Sequence, residues 1–132
     1  MKGFAKNIEE LTRSNNKYRK VLYTGNYSQL VLMSLLPSEE IGLETHQKND
    51  QFFRIESGRG KVIIDDNEYD VADGSAVIVP AGAKHNVINT SGTDKLKLYT
   101  IYSPPHHKDA IEFDTLAPAE ASEEEFDGET TE

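Results

Sequence analysis

From Arg19 to Tyr102 the chain is interrupted by turn-forming residues at intervals too short for any long helix. Gly25-Asn26, Pro37-Ser38, Gly58-Arg59-Gly60, Asp65-Asp66-Asn67, Asp73-Gly74, Pro80-Ala81-Gly82 and Thr90-Ser91-Gly92-Thr93 separate short runs rich in Val, Ile, Leu, Tyr and Phe. Gly, Pro, Asn and Asp end regular structure, and β-branched and aromatic residues favour the pleated, half-buried surface of a sheet. The pattern predicts strands over 19–24, 27–35, 41–46, 51–57, 61–64, 68–71, 75–79, 84–89 and 95–102. Many short strands without a helical period make an all-β sandwich or barrel.

The flanks differ from this body. Residues 1–18 are polar and are expected to form an arm with a turn of helix around Ile8 and Leu11, ended by Asn15-Asn16. Residues 19–105 form the barrel, and residues 106–132 are expected to be an acidic, largely disordered tail. Ile111, Phe113 and Leu116 are the residues at its start with apolar side chains to pack. The formal net charge of −9 belongs to this tail, because residues 109–132 hold 10 of the 23 acids and no Lys or Arg. Residues 1–108 carry 14 basic and 13 acidic side chains, so the basic footprint of a nucleic-acid binder is missing. No apolar run reaches the roughly 18 residues that argue for a membrane span. Met1 to Lys6 lacks the apolar core of a signal peptide, and a cytoplasmic protein is expected.

The residues with metal chemistry are few. The chain contains 4 His and no Cys, so a metal must bind through imidazole, carboxylate or amide groups. Glu44 and His46 are two residues apart and, on a strand, share a face. Gln51 opens the next strand, and His85 follows the turn Pro80-Ala81-Gly82. A glutamate, two histidines and a glutamine converging inside a barrel would form a site for one divalent ion.

Two stretches resemble a known family. Gly74, Pro80, Gly82, His85 and Asn89 match the cupin pattern G-x5-P-x-G-x2-H-x3-N. The stretch from Gly42 through Glu44, His46 and Gln51 to Gly60 is similar to the other cupin motif, with two departures. Glu44 stands where the first histidine is usual, and Gln51 where the glutamate is usual. The resemblance covers about residues 20–105, and it calls to mind small single-domain cupins of the mannose-6-phosphate isomerase-like kind. It implies a double-stranded β-helix, a jelly-roll barrel, with a metal held by the two motifs in some members. The family spacing admits either Asp50 or Gln51 in the acid position. Alternation places Gln51, Phe53 and Ile55 on one face and Asp50, Phe52, Arg54 and Glu56 on the other, so Gln51 points inward.

The expected metal ligands are therefore Glu44, His46, Gln51 and His85. Their nitrogen and oxygen donors suit Mn, Fe, Ni, Co or Zn. The alternative is a hydrogen-bonded polar pocket without a metal. The expected activity is metal-dependent isomerisation or ring opening of a sugar or sugar acid, with Glu44 as the proton-transferring carboxylate. Small cupins that linearise uronates have a similar His/Gln ligand mix. A metal-dependent dioxygenase and a non-catalytic small-molecule binder are the other readings. His106 and His107 are expected to be exposed after Pro104-Pro105, the alternative being that they cap the barrel mouth or supply a general base; Tyr102 is expected to be a packing residue, and Gly58, Gly60, Gly74 and Gly82 to be turn glycines. A homodimer is expected, because the outward Phe52, Tyr99 and Ile101 need cover.

Overall fold

The computed structural model describes residues 1–122 and 124–132. After a short helix α1 (Ile8–Ser14) come β1 (Arg19–Thr24), β2 (Gln29–Leu35), β3 (Glu44–Thr45), β4 (Asp50–Ser57), β5 (Arg59–Ile64), β6 (Asn67–Ala72), β7 (Ala76–Val79), β8 (Lys84–Asn89) and β9 (Leu96–Ser103). A two-residue strand β10 (Glu112–Phe113) and a helix α2 (Leu116–Ala121) follow. The strands form two antiparallel sheets. One has the order β10-β1-β2-β9-β4-β7 and the other β3-β8-β5-β6. The all-β expectation holds, and the arrangement is that of a double-stranded β-helix.

The core lies between the sheets and follows from the period of two. Phe53 and Ile55 of β4 lie opposite Thr100 and Leu98 of β9, which in turn face Val31 and Met33 of β2. All six are essentially buried. Val62 and Val87 are paired across β5 and β8 and close the core from the other side. The outward set is also as predicted. Asp50 is exposed, and Phe52, Tyr99 and Ile101 are partly exposed. Glu56 departs from the alternation. A bulge between Ile55 and Ser57 leaves it buried, with Oε1 2.9 Å from Arg54 Nε.

Helix α1 forms where the arm was expected to make a turn. Asn7 caps it by accepting from the Glu10 amide at 3.0 Å, and Asn15 ends it. Lys97 ties it to the outer face of the large sheet by donating to the Arg13 carbonyl at 2.7 Å. The strand expected over 41–46 is shorter. Gly42 takes φ +103° and separates an isolated bridge at Glu40 from β3. Side chains rarely adopt that backbone region, so the glycine permits the break.

The C-terminal segment differs most from expectation. Residues expected to form a loose tail are bound to the barrel. Phe113 and Glu112 pair with Arg19 and Lys20 of β1, and the Val21 amide donates to the Ile111 carbonyl at 3.0 Å. Ile111, Phe113 and Leu116 pack against the core, as their apolar side chains led us to expect. The Phe126 amide donates to the His106 carbonyl at 3.0 Å, and the Thr131 amide donates to Thr24 at 2.9 Å. The physical reason is the open edge of β1. Its backbone groups need partners, and the three apolar side chains beyond Pro105 bring the chain to it.

Candidate metal centre

The ladder between β3 and β8 places Glu44 directly opposite His85, where paired side chains are neighbours. His46 follows β3 by one residue, and its carbonyl accepts from the Gly82 amide at 2.9 Å. The same turn is held by Asp50, whose outward carboxylate accepts from the Ala81 amide at 2.9 Å. The turn before His85 is thus tied to residues on both sides of Gln47 and Lys48. Ligand atoms of Glu44, His46 and His85 lie within 4.8 Å of one another. Gln51 enters the interior from β4, opposite Tyr102, and is 2% exposed.

Hydrogen bonding leaves the inward atoms without partners. His85 Nδ1 lies 3.1 Å from the Ala83 carbonyl and donates to it, so Nε2 carries the lone pair. Gln51 Nε2 donates to Thr100 Oγ1 at 3.0 Å, and that bond leaves Oε1 free. His46 Nε2 is 3.2 Å from Glu44 Oε2, a distance for an ion pair but not aligned as a hydrogen bond. His46 Nε2, His85 Nε2 and Gln51 Oε1 are three of the six buried side-chain polar atoms without a hydrogen-bond partner among the described residues. Each such group costs about 1–3 kcal/mol if left bare.

These residues fit one divalent cation. Two donors about 2.1 Å from a shared ion are at most about 4.2 Å apart, so the three-residue cluster needs only a small closure. Burial pushes the His85 imidazole below its usual value, which keeps it neutral and able to coordinate. Burial acts to raise the Glu44 carboxyl. Contact with His46 and the positive field of Arg19 outweigh it and hold the group below the usual range, as a carboxylate. A fixed tautomer on His85 and a bonded amide on Gln51 are the outer contacts that orient ligands.

His106 and His107 do not lie exposed after the Pro-Pro turn. The Gln29 carbonyl oxygen accepts from the amides of His106 at 3.2 Å and His107 at 2.9 Å, and its Nε2 donates to the His107 carbonyl at 2.7 Å. These bonds turn the segment back over the barrel mouth. The His106 ring lies against His46, with centroids 4.3 Å apart. Burial, followed by the neighbouring His107 and His46, pushes His106 down to about 4. His107 is 5% exposed and is held between Tyr102 and Glu124. Its Nδ1 donates to Glu124 Oε1 at 3.1 Å, and its Nε2 accepts from the Tyr102 hydroxyl at 3.3 Å. Tyr102 therefore joins a network as well as packing.

A pH dependence follows from His107. Burial pushes its pKa below the unfolded value, against the pull of Glu124. The unfolded chain then binds the proton more readily, so this stability is fully present above about pH 6.5 and is lost as pH falls. Thermal unfolding should shift to lower temperature between pH 7.5 and 5, by up to about 1.4 kcal/mol per pH unit for one proton. Burial lowers His85 and His106 as well and gives slopes of the same sign, so His107→Gln should lessen the slope by up to one proton's share, and an unchanged slope would place the titration on those two alone.

A cavity of about 720 Å³ opens beside the cluster, with Tyr18, Arg19, Glu44, His106, His107 and Glu124 in its wall. Alternation along Arg19, Val21 and Tyr23 could have flagged an arginine sharing a face with a core valine. The sequence admits a capping role for His106 and His107 but does not select it, because Gln29, which holds them, is 77 and 78 residues away.

Comparison with known proteins agrees with this geometry. Residues 31–102 match the Cupin domain family. The chain is 47% identical over 129 residues to the uncharacterized protein YrkC of Bacillus subtilis (strain 168), covering 93% of this chain and 69% of that protein. The crystal structure of BH2720 from Bacillus halodurans superimposes with a TM-score of 0.89 at 42% identity, covering 92% of this chain and 96% of the other. TT1209 from Thermus thermophilus superimposes with a TM-score of 0.66 at 25% identity, over 76% and 96% of the two chains. The barrel, the paired motifs and the family match lead to one conclusion: this chain belongs to the cupin family.

Proposed function

We propose that the protein is a metal-dependent enzyme acting on a small polar molecule, by isomerisation or ring opening of a sugar or sugar acid. Glu44, His46, Gln51 and His85 would hold one divalent ion, drawn from Mn, Fe, Ni, Co or Zn. The observation that carries this reading is the set of unpartnered buried atoms, His46 Nε2, His85 Nε2 and Gln51 Oε1, beside the Glu44 carboxylate. Once bound, the ion would supply Lewis-acid polarisation of a carbonyl or hydroxyl.

The chain's own residues would do the rest. Glu44 is the ligand with access to the cavity, its side chain being 34% exposed. Its low pKa makes it a carboxylate at neutral pH, able to take a proton from a substrate carbon or hydroxyl and return it. Arg19, Glu44, His106, His107 and Glu124 make the cavity wall polar. That wall favours a polar substrate.

The test has two stages. Protein reconstituted with each metal and freed of excess should carry about one equivalent by elemental analysis, and no uptake would remove the basis of the proposal. Loaded protein should then convert aldoses or uronates under argon, followed by proton NMR. Turnover only in air would mean an oxygenase, and binding without turnover a ligand-binding protein.

A further inference from the structure

Arg19 is a charged side chain in the interior. It is 8% exposed and sits in β1 between Met33 of β2 and Phe113 of β10. It forms no ion pair within 4.0 Å among the described residues, and its Nε has no hydrogen-bond partner. The ring of Tyr18, 5.6 Å from the guanidinium carbon, compensates it in part.

A structural role does not account for this. A buried cation costs several kcal/mol in lost hydration, and an apolar residue of similar volume does the packing at less cost. Buried arginines held for structure are paired with carboxylates, usually through two parallel bonds. Glu44 and Glu124 feel the charge of Arg19, yet neither is in ion-pair contact with it. The guanidinium instead forms part of the wall of the 720 Å³ cavity that Glu44 also lines. Pockets of roughly 300–1,000 Å³ accept small ligands.

We propose that Arg19 binds the carboxylate of the substrate, which makes the substrate a small hydroxy or keto acid such as a sugar acid. This rests on reading the cavity as the substrate chamber. A carboxylate matches the planar fork of the guanidinium. The same wall carries the carboxylates of Glu44, Glu120, Glu124 and Glu125, so the substrate carboxylate must be seated on the guanidinium itself. A singly charged group suits the site better than a phosphate, because Glu44, Glu120, Glu124 and Glu125 line the same cavity and repel each added negative charge. With the carboxylate on Arg19, the remaining hydroxyl or carbonyl carbons extend along the wall toward Glu44.

The experiment uses metal-free, nitrogen-15-labelled full-length protein, so the metal assignment does not enter its outcome. Glucuronate, glucose and glucose 6-phosphate are titrated while the Arg19 Nε–H resonance is followed. Glucuronate should shift that resonance saturably, glucose should leave it unmoved, and glucose 6-phosphate should bind more weakly than glucuronate. Arg19→Gln should weaken glucuronate about 10- to 100-fold. Arg19→Lys should fall between, since it keeps the charge and loses the fork. The wild-type titration stands if either variant fails to fold. Equal binding of glucuronate and glucose, no binding of glucuronate, or binding that leaves Arg19 unmoved would overturn the proposal. Tighter binding of the phosphate would overturn the carboxylate assignment. Failure of metal uptake alone would leave the result intact and would count against the enzymatic reading only.

Discussion

Replacing His85 with alanine is expected to lower divalent-metal affinity by on the order of 100-fold or more while the barrel stays folded. Residues that merely orient ligands are worth about 10- to 100-fold in affinity, and a direct donor is worth more. His85 is suited to that role, because Ala83 fixes its tautomer and Nε2 has no partner among the described residues. Its removal also deletes a buried atom that no described residue satisfies, so the loss of metal-free stability should be small. His46→Ala should act alike. Gln51→Ala should cost less, about 10-fold, because a neutral amide oxygen is a weaker donor than an imidazole. Competition with a fluorescent chelator measures all three. Undiminished affinity in His85→Ala would show that the ion binds elsewhere.

The second large effect is expected at Gly60. A Cβ there would lie 2.5 Å from the Ile88 carbonyl oxygen and 3.0 Å from Leu96 Cδ2. The first contact is backbone and cannot rotate away, so Gly60→Ala must push β5 from β8. Overpacking of this kind costs about 1–3 kcal/mol, occasionally more, and we expect the upper end, about 3 kcal/mol, or a Tm lower by on the order of 10 °C. Gly74→Ala is the control. It has φ +88° and nothing within 4 Å, so only backbone strain of about 1 kcal/mol is expected. A Gly60→Ala protein as stable as wild type would mean that the sheet yields at this point. The displaced strand is also the neighbour of His85, through the pairing of Ile64 with His85. Metal affinity should therefore fall together with stability.

Gly60 illustrates the limit of reading position from type. In the sequence it stands with Gly58, Gly74 and Gly82 as one of four turn glycines. Those three take positive φ, whereas Gly60 does not. It lies within β5 and is a glycine because Ile88 and Leu96 come close. That contact joins residues 28 and 36 positions away and leaves no local trace.

Local periodicity determined much of the rest. Strand alternation placed Gln51, Phe53 and Ile55 inward and Asp50 outward, as found. The spacing of Gly74, Pro80, Gly82, His85 and Asn89 identified the turn that aims His85, and the two-residue interval made neighbours of Glu44 and His46. These features repeat with the period of a strand or follow the chemistry of a turn, so they are encoded within a few residues. Only the tertiary structure decided the environment of three others. Gln29 folds His106 and His107 over the mouth, the open edge of β1 binds the acidic segment, and Arg19 is left buried without an ion-pair partner among the described residues. Each outcome depends on which distant strands become neighbours. Burial and charge compensation are properties of that neighbourhood, and so the same residues that look ordinary along the chain acquire their chemistry only when the two sheets close.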